Sequence, residues 1–197
     1  MTVIMANGVN EVESNLKSIL ERVSKEAIQA NDVFKIGISG GSALTYFTNS
    51  VLSMQEDLSK WKIFFCDERV VPEDSKDSTY GTVKRGKLMR DKLDEKQFIK
   101  IKSGINAPEA AAEYIQQMEQ YFQRGSLPDF DLLLLGMGPD GHVCSLFPGH
   151  KLLDEKDVWV APIEDSPKPP PCRITLTFPV INNARNCVFV ATGEEKA

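Results

Sequence analysis

The sequence predicts an α/β protein with a mostly parallel sheet and helices on both faces. Three observations predict it. Short apolar runs alternate with segments of helical spacing, the pattern of right-handed crossover units. One run, Leu132 to Leu135, is continuously aliphatic, as a strand covered on both faces must be. Glycine-rich or charged clusters follow several strand candidates, at the carboxyl ends where open parallel sheets bind ligands.

The elements follow in order. Residues 12–27 place Val12, Leu16, Ile19, Leu20, Val23 and Ala27 on one helical stripe. Asn31-Asp32 ends that helix. VFKIGI (33–38) reads as a buried strand, SGGS (39–42) as a tight turn, and ALTYFTNSVL (43–52) as the helix leaving it. KIFFC (62–66) is a second strand, followed by an acidic loop, DERVVPEDSKDS (67–78), and a helix over 79–93. FIKI (98–101) is a short strand. Asn106 and Glu109, with Pro108 between them, form a capping-box signature, and Ala111, Tyr114, Ile115, Met118 and Phe122 give the following helix its core face. Beyond DLLLL (131–135) lie three further strand candidates, 158–163, 173–178 and 187–192, and a stiff proline lead-in, SPKPPP (166–171). Gly193 to Lys196 opens like a helix, but one turn cannot sustain itself. The expectation is a single domain over 1–197 with its C-terminal part missing.

Composition narrows the function. The 197 residues, 42% hydrophobic and 26% charged, suit one globular domain with a sizeable core. A net charge of −5 gives no general attraction to nucleic acid or an anionic membrane. The basic stretch Lys84 to Lys92 has apolar residues between its cations and reads as a solvated helix face. A membrane span needs about 20 apolar residues and none is visible. Nor is a secretory signal, so the expectation is a cytoplasmic protein. Cys66, Cys144, Cys172 and Cys187 are too scattered for a zinc site and read as reduced thiols.

The strand-end clusters carry the candidate chemistry. Gly40 and Gly41 let the backbone approach a ligand, and Ser42 adds a hydroxyl at a helix start, where an anion is favoured. The alternative is a plain strand-to-helix turn. Gly136, Gly138 and Gly141 match GxGxxG, but Pro148-Gly149 leaves under two turns of helix and Pro139 removes a donor, so dinucleotide binding fails. Asp140 and His142 remain there as an acid–base pair, His being the side chain best able to take a proton near neutrality. His150 lacks such a setting. Asp67-Glu68-Arg69 could orient a polyol and hold developing negative charge, or be a surface ion pair. Arg173, opening a strand, could fork two hydrogen bonds onto a phosphate.

Together, GISGGS (37–42), FFCDERVVP (64–72), LLLLGMGPDGHVCSLFPGH (132–150), SPKPPPCRITLTFPVI (166–181) and ATGEEKA (191–197) resemble the 6-phosphogluconolactonases of the animal type, in the glucosamine-6-phosphate isomerase/6-phosphogluconolactonase family. The resemblance implies a Rossmann-like sheet similar to that of glucosamine-6-phosphate deaminase and ribose-5-phosphate isomerase. It implies hydrolysis of 6-phospho-D-glucono-1,5-lactone to 6-phospho-D-gluconate in the oxidative pentose phosphate pathway. No metal and no cofactor are implied, and the only partner is the phosphosugar in a monomeric protein. By the same resemblance Gly40, Gly41, Ser42, Arg173 and Lys196 would hold the phosphate. His142 would be the base, with Asp67, Arg69 and Asp140 around the sugar and reacting carbonyl. Ala43 stands where many relatives carry a hydroxyl residue. Two rivals remain: an amino-sugar phosphate deaminase/isomerase, whose members carry an acid after the His where Ser145 to Pro148 stand here, and a non-catalytic sugar-phosphate binder.

Overall fold

The computed structural model describes residues 2–196. Helix α1 (Val9–Asn31) leads into β1 (Phe34–Ile38), α2 (Ser42–Leu52) and β2 (Trp61–Phe65). Next come β3 (Asp67–Arg69), α3 (Thr79–Arg85), α4 (Lys87–Asp91), β4 (Phe98–Ile99), α5 (Ala107–Met118) and β5 (Leu132–Gly136). The chain closes with β6 (Val160–Ile163), β7 (Arg173–Leu176), α6 (Phe178–Asn183) and β8 (Cys187–Val190).

Five strands form the main sheet in the order β4-β2-β1-β5-β8, every pair parallel. Period-two alternation divides its core. Ile36, Ile38, Ile63, Phe65, Leu132 and Leu134 pack with α1 and α2 on one face. Phe64, Leu133 and Leu135 pack with Ala111, Tyr114 and Met118 of α5 and with β6 and β7 on the other. A strand covered twice has no polar face to show, which is why DLLLL carries no alternation. Among the described residues no helix is long and apolar enough to cross a membrane.

Three expectations need correction. Asp67–Arg69 is not the start of a loop. It is β3, paired antiparallel with β7, which pairs antiparallel with β6 in a second, three-stranded sheet. The backbone partners lie a hundred residues away in sequence, so the local composition is silent about them. The 79–93 helix is broken at Gly86, whose backbone is extended (φ −84°, ψ 179°). The strand 173–178 ends at Leu176, and Phe178 begins α6 with Pro179 in its first turn.

Glu68 is structural. It is buried, and its carboxylate accepts from the N–H groups of Arg69, Thr79 (2.9 Å) and Tyr80 (2.7 Å), fastening the start of α3 to β3. Burial raises its pKa above the ordinary Glu value, against the pull of those three donors.

Candidate active site

The carboxyl ends of β1, β2 and β5 and the start of β7 meet at one cleft of about 180 Å³. Gly40, Gly41 and Ser42 line it from the β1 turn, Asp67 and Arg69 from β3, Gly138 and His142 from the β5 turn, Arg173 from β7, and Lys196 from the end of the described chain. Of the residues expected at the site, only Asp140 does not line it.

The β1 turn fits an anion. Gly41 has φ +68°, a left-handed conformation with open space where a Cβ would stand, so backbone geometry rather than crowding demands glycine. The turn ends at α2, where the first N–H groups have no helical acceptor and the helix dipole favours negative charge. The Gly40 and Gly41 N–H groups also have no acceptor among the described residues.

The β5 turn positions the His142–Asp140 pair. Gly138 N–H donates to the His142 carbonyl (2.9 Å) and Gly141 N–H to the Gly138 carbonyl (3.0 Å), folding the turn back on itself. His142 Nδ1 lies 2.6 Å from Asp140 Oδ1. An ionised carboxylate can only accept, so Nδ1 carries the proton and Nε2 is left as the basic atom. No described residue bonds Nε2. The ring packs on Phe147, centroids 4.7 Å apart. A Cβ on Gly138 would collide with the His142 ring and the Asp140 carboxylate, so that glycine is required by the dyad lying over it. Asp140 therefore reaches the site through His142.

Asp67 and Arg173 are tied more tightly than their sequence suggested. Asp67 is buried and accepts from the Ser145 hydroxyl (2.8 Å), which fixes one of its oxygens. Arg173, only 3% exposed, spends its fork on backbone. Nε donates to the Pro170 carbonyl (3.0 Å), and Nη2 to those of Lys168 (2.8 Å) and Pro169 (3.1 Å). Only Nη1 remains, with a long contact to Ser145 Oγ (3.4 Å). The expected two-pronged grip on phosphate is thus unavailable, and Arg173 instead pins the proline loop and offers the cleft one N–H and its charge. Burial, then the neighbouring Arg69, pushes its pKa below the ordinary value. The two arginines face each other directly in the β3–β7 register, a like-charge pairing that an anion between them would relieve. Arg69 also donates through Nη1 to the Asp77 carbonyl (2.9 Å).

Met137 and Cys144 also line the cleft and were not singled out from the sequence. Cys144 is buried at φ +54°, and its thiol is pushed well up by the neighbouring Cys66 and by burial, which makes it a poor nucleophile. Ser39, at the end of β1, also lines the cleft. A third residue, Lys168, stands behind the dyad. Its Nζ lies 2.8 Å from Asp140 Oδ1 and 3.4 Å from His142 Nδ1. Its one signal in the sequence is a cation held between prolines, on a loop otherwise read as a spacer.

The family description "Glucosamine-6-phosphate isomerases/6-phosphogluconolactonase" matches residues 8–197. Human 6-phosphogluconolactonase is 49% identical over 169 residues, which cover 83% of this chain and 66% of the human protein. The rat 6-phosphogluconolactonase is 42% identical over 193 residues, covering 95% of this chain and 75% of its own length. The chain thus spans about two-thirds to three-quarters of these relatives. Among solved structures, 6-phosphogluconolactonase from Trypanosoma brucei superposes with a TM-score of 0.85 at 26% identity, covering 99% of this chain and 83% of that one.

Proposed function

Because the chain belongs to the glucosamine-6-phosphate isomerase/6-phosphogluconolactonase family, we propose that it hydrolyses 6-phospho-D-glucono-1,5-lactone to 6-phospho-D-gluconate. The observation that carries this reading is the orientation of His142. Nδ1 is engaged by Asp140, Nε2 has no partner among the described residues, and the ring lines a cleft shared with the cations Arg69, Arg173 and Lys196.

The chemistry follows from those positions. The phosphate sits on the Gly40 and Gly41 N–H groups and the Ser42 hydroxyl, with Lys196 and the free Arg173 N–H beside it. Binding energy spent there orients the lactone without touching the reacting carbon. His142 Nε2 takes a proton from water as its oxygen attacks the lactone carbonyl. Arg69 faces the tetrahedral oxyanion. The imidazolium then returns the proton to the ring oxygen as the C–O bond breaks, and Asp140 holds the ring throughout. Water is consumed, the ester opens, and the enzyme ends as it began. Val143 to Pro148, the residues after His142, include no acid, and Phe147 packs on the His142 ring, which argues against the deaminase reading.

The test is a coupled lactonase assay that measures enzyme-dependent hydrolysis above the spontaneous rate, alongside ammonia release from glucosamine 6-phosphate. Lactone turnover is the expected result. Tight binding of 6-phosphogluconate with no turnover would replace the enzyme reading with that of a binding protein.

A further inference from the structure

The Asp140 carboxylate serves two donors at once. His142 Nδ1 and Lys168 Nζ both reach the same oxygen, at 2.6 and 2.8 Å, and the two nitrogens are 3.4 Å apart. An aspartate alone would favour the imidazolium, and an ammonium that close disfavours it. We propose that Lys168 is a positioning residue that divides Asp140 with His142, so that the carboxylate orients the imidazole without locking it in the protonated form.

The loop is built to deliver that ammonium. Pro167, Pro169, Pro170 and Pro171 stiffen the stem on which Lys168 sits. The Lys168 carbonyl is held by Arg173 Nη2 (2.8 Å) and by the Ser166 hydroxyl (2.9 Å), and Ser166 N–H donates to the Pro171 carbonyl (3.2 Å). The Asp140 carboxyl stays well below the usual carboxylate range, chiefly through the Lys168 hydrogen bond and secondarily through His142. It therefore stays charged over the whole range in which a histidine titrates.

Other charges also face the ring. Asp140 is on its own turn and Lys168 comes from the proline loop, while Arg69, Arg173, Lys196 and Asp67 lie across the cleft. All but Lys168 persist in a Lys168 variant, so the difference isolates the ammonium. Lys168 and Asp140 side chains are 38% and 37% exposed, so solvent screens the interaction and the expected shift is modest.

The proton NMR titration of the imidazole C–H signals reads this directly. The chain has two histidines, and His142→Ala assigns the signals. In Lys168→Met the His142 signals should titrate at higher pH than in wild type, with the His150 signals as the internal control. Lys168→Arg, which keeps the charge, should restore the wild-type midpoint, and the rise should shrink in 1 M salt. As a second readout, which rests on the lactonase reading, the acidic limb of the kcat profile should move to higher pH by the same amount while its alkaline plateau holds within a few-fold. An unmoved His142 midpoint overturns the proposal, as does a uniform loss of kcat at every pH that Arg fails to rescue. Lys168→Gln reads the same quantity if the Met variant folds poorly. A wild-type chain without turnover refutes the lactonase reading alone, and the NMR midpoint still decides the role of Lys168.

Discussion

The turn after β5 and the segment that follows it each set a histidine against an aspartate, and the two pairs differ in one respect. His142 lines the cleft with Nδ1 at 2.6 Å from Asp140 and with no partner to Nε2 among the described residues. His150 has Nε2 at 3.0 Å from Asp165 and Nδ1 accepting the Leu152 N–H at 3.2 Å, where it caps a short 3-10 helix (Lys151–Asp154). Their side chains are similarly buried, 18% and 12% exposed, so burial does not separate them. What separates them is commitment. Both nitrogens of His150 are used in holding loops together, while Nε2 of His142 has no partner among the described residues. A histidine–aspartate contact marks chemistry only where the far nitrogen is free.

The strongest test of that contrast exchanges each histidine for alanine. His142→Ala should lower kcat by about 10²–10⁴-fold, or roughly 3–5 kcal/mol of barrier, with KM little changed, since the ring acts on water rather than on the phosphate. His150→Ala should leave kcat within a few-fold. Steady-state kinetics of the two variants decides it, and comparable losses would remove the distinction.

The next test leaves His142 in place and moves it. A methyl on Gly138 would strike the imidazole and the Asp140 carboxylate, so Gly138→Ala must displace the dyad. The expected result is a fall in kcat on the order of 10²-fold, as a misplacement of about 1 Å can cost. Thermal stability should change little, because the collision is with partly exposed side chains rather than with the core. Retained activity would mean that the ring's position over this turn is not what matters.

Much of this was legible in the sequence, for reasons that vary by element. The five parallel strands and their helices follow from apolar periodicity, and Asn106 and Glu109 form both halves of their capping box. The glycine turns after β1 and β5 converge because parallel strands bring their carboxyl ends to one rim. What stayed hidden depends on contacts across long separations. The three residues of β3 are polar and become a strand only through β7. The fork of Arg173 looked free because its acceptors are proline-loop carbonyls, which no side-chain pattern announces. Lys168 looked like a loop cation because its partner is 28 positions away. The need for glycine at position 138 becomes visible only once the imidazole lies above it.

A smaller effect sharpens the other side of the comparison. If His150 is a clasp, its loss should appear in stability. Removing it leaves the Leu152 N–H without its cap and Asp165 without its donor, at a cost of about 0.5–1.5 kcal/mol. Thermal denaturation of His150→Ala beside wild type measures it. The clasp reading predicts a lowered Tm with normal kinetics, the reverse of the His142→Ala result.

The smallest effect is the acid dependence of that clasp. The His150 hydrogen bond holds the Asp165 carboxyl below its ordinary value of 3.8. A carboxyl depressed on folding binds its proton more weakly in the native state than in the unfolded one. Its contribution is therefore complete above the unfolded value and fades as pH falls through the native one. Asp165 is exposed, so the contribution is small and screened by salt. Asp165→Asn should lower Tm slightly at pH 5–7, and the gap to wild type should close as both are taken below pH 3.8. A gap that persists into acid would show that the carboxylate charge is not what holds the loop, leaving the Leu152 cap as the whole of what His150 does.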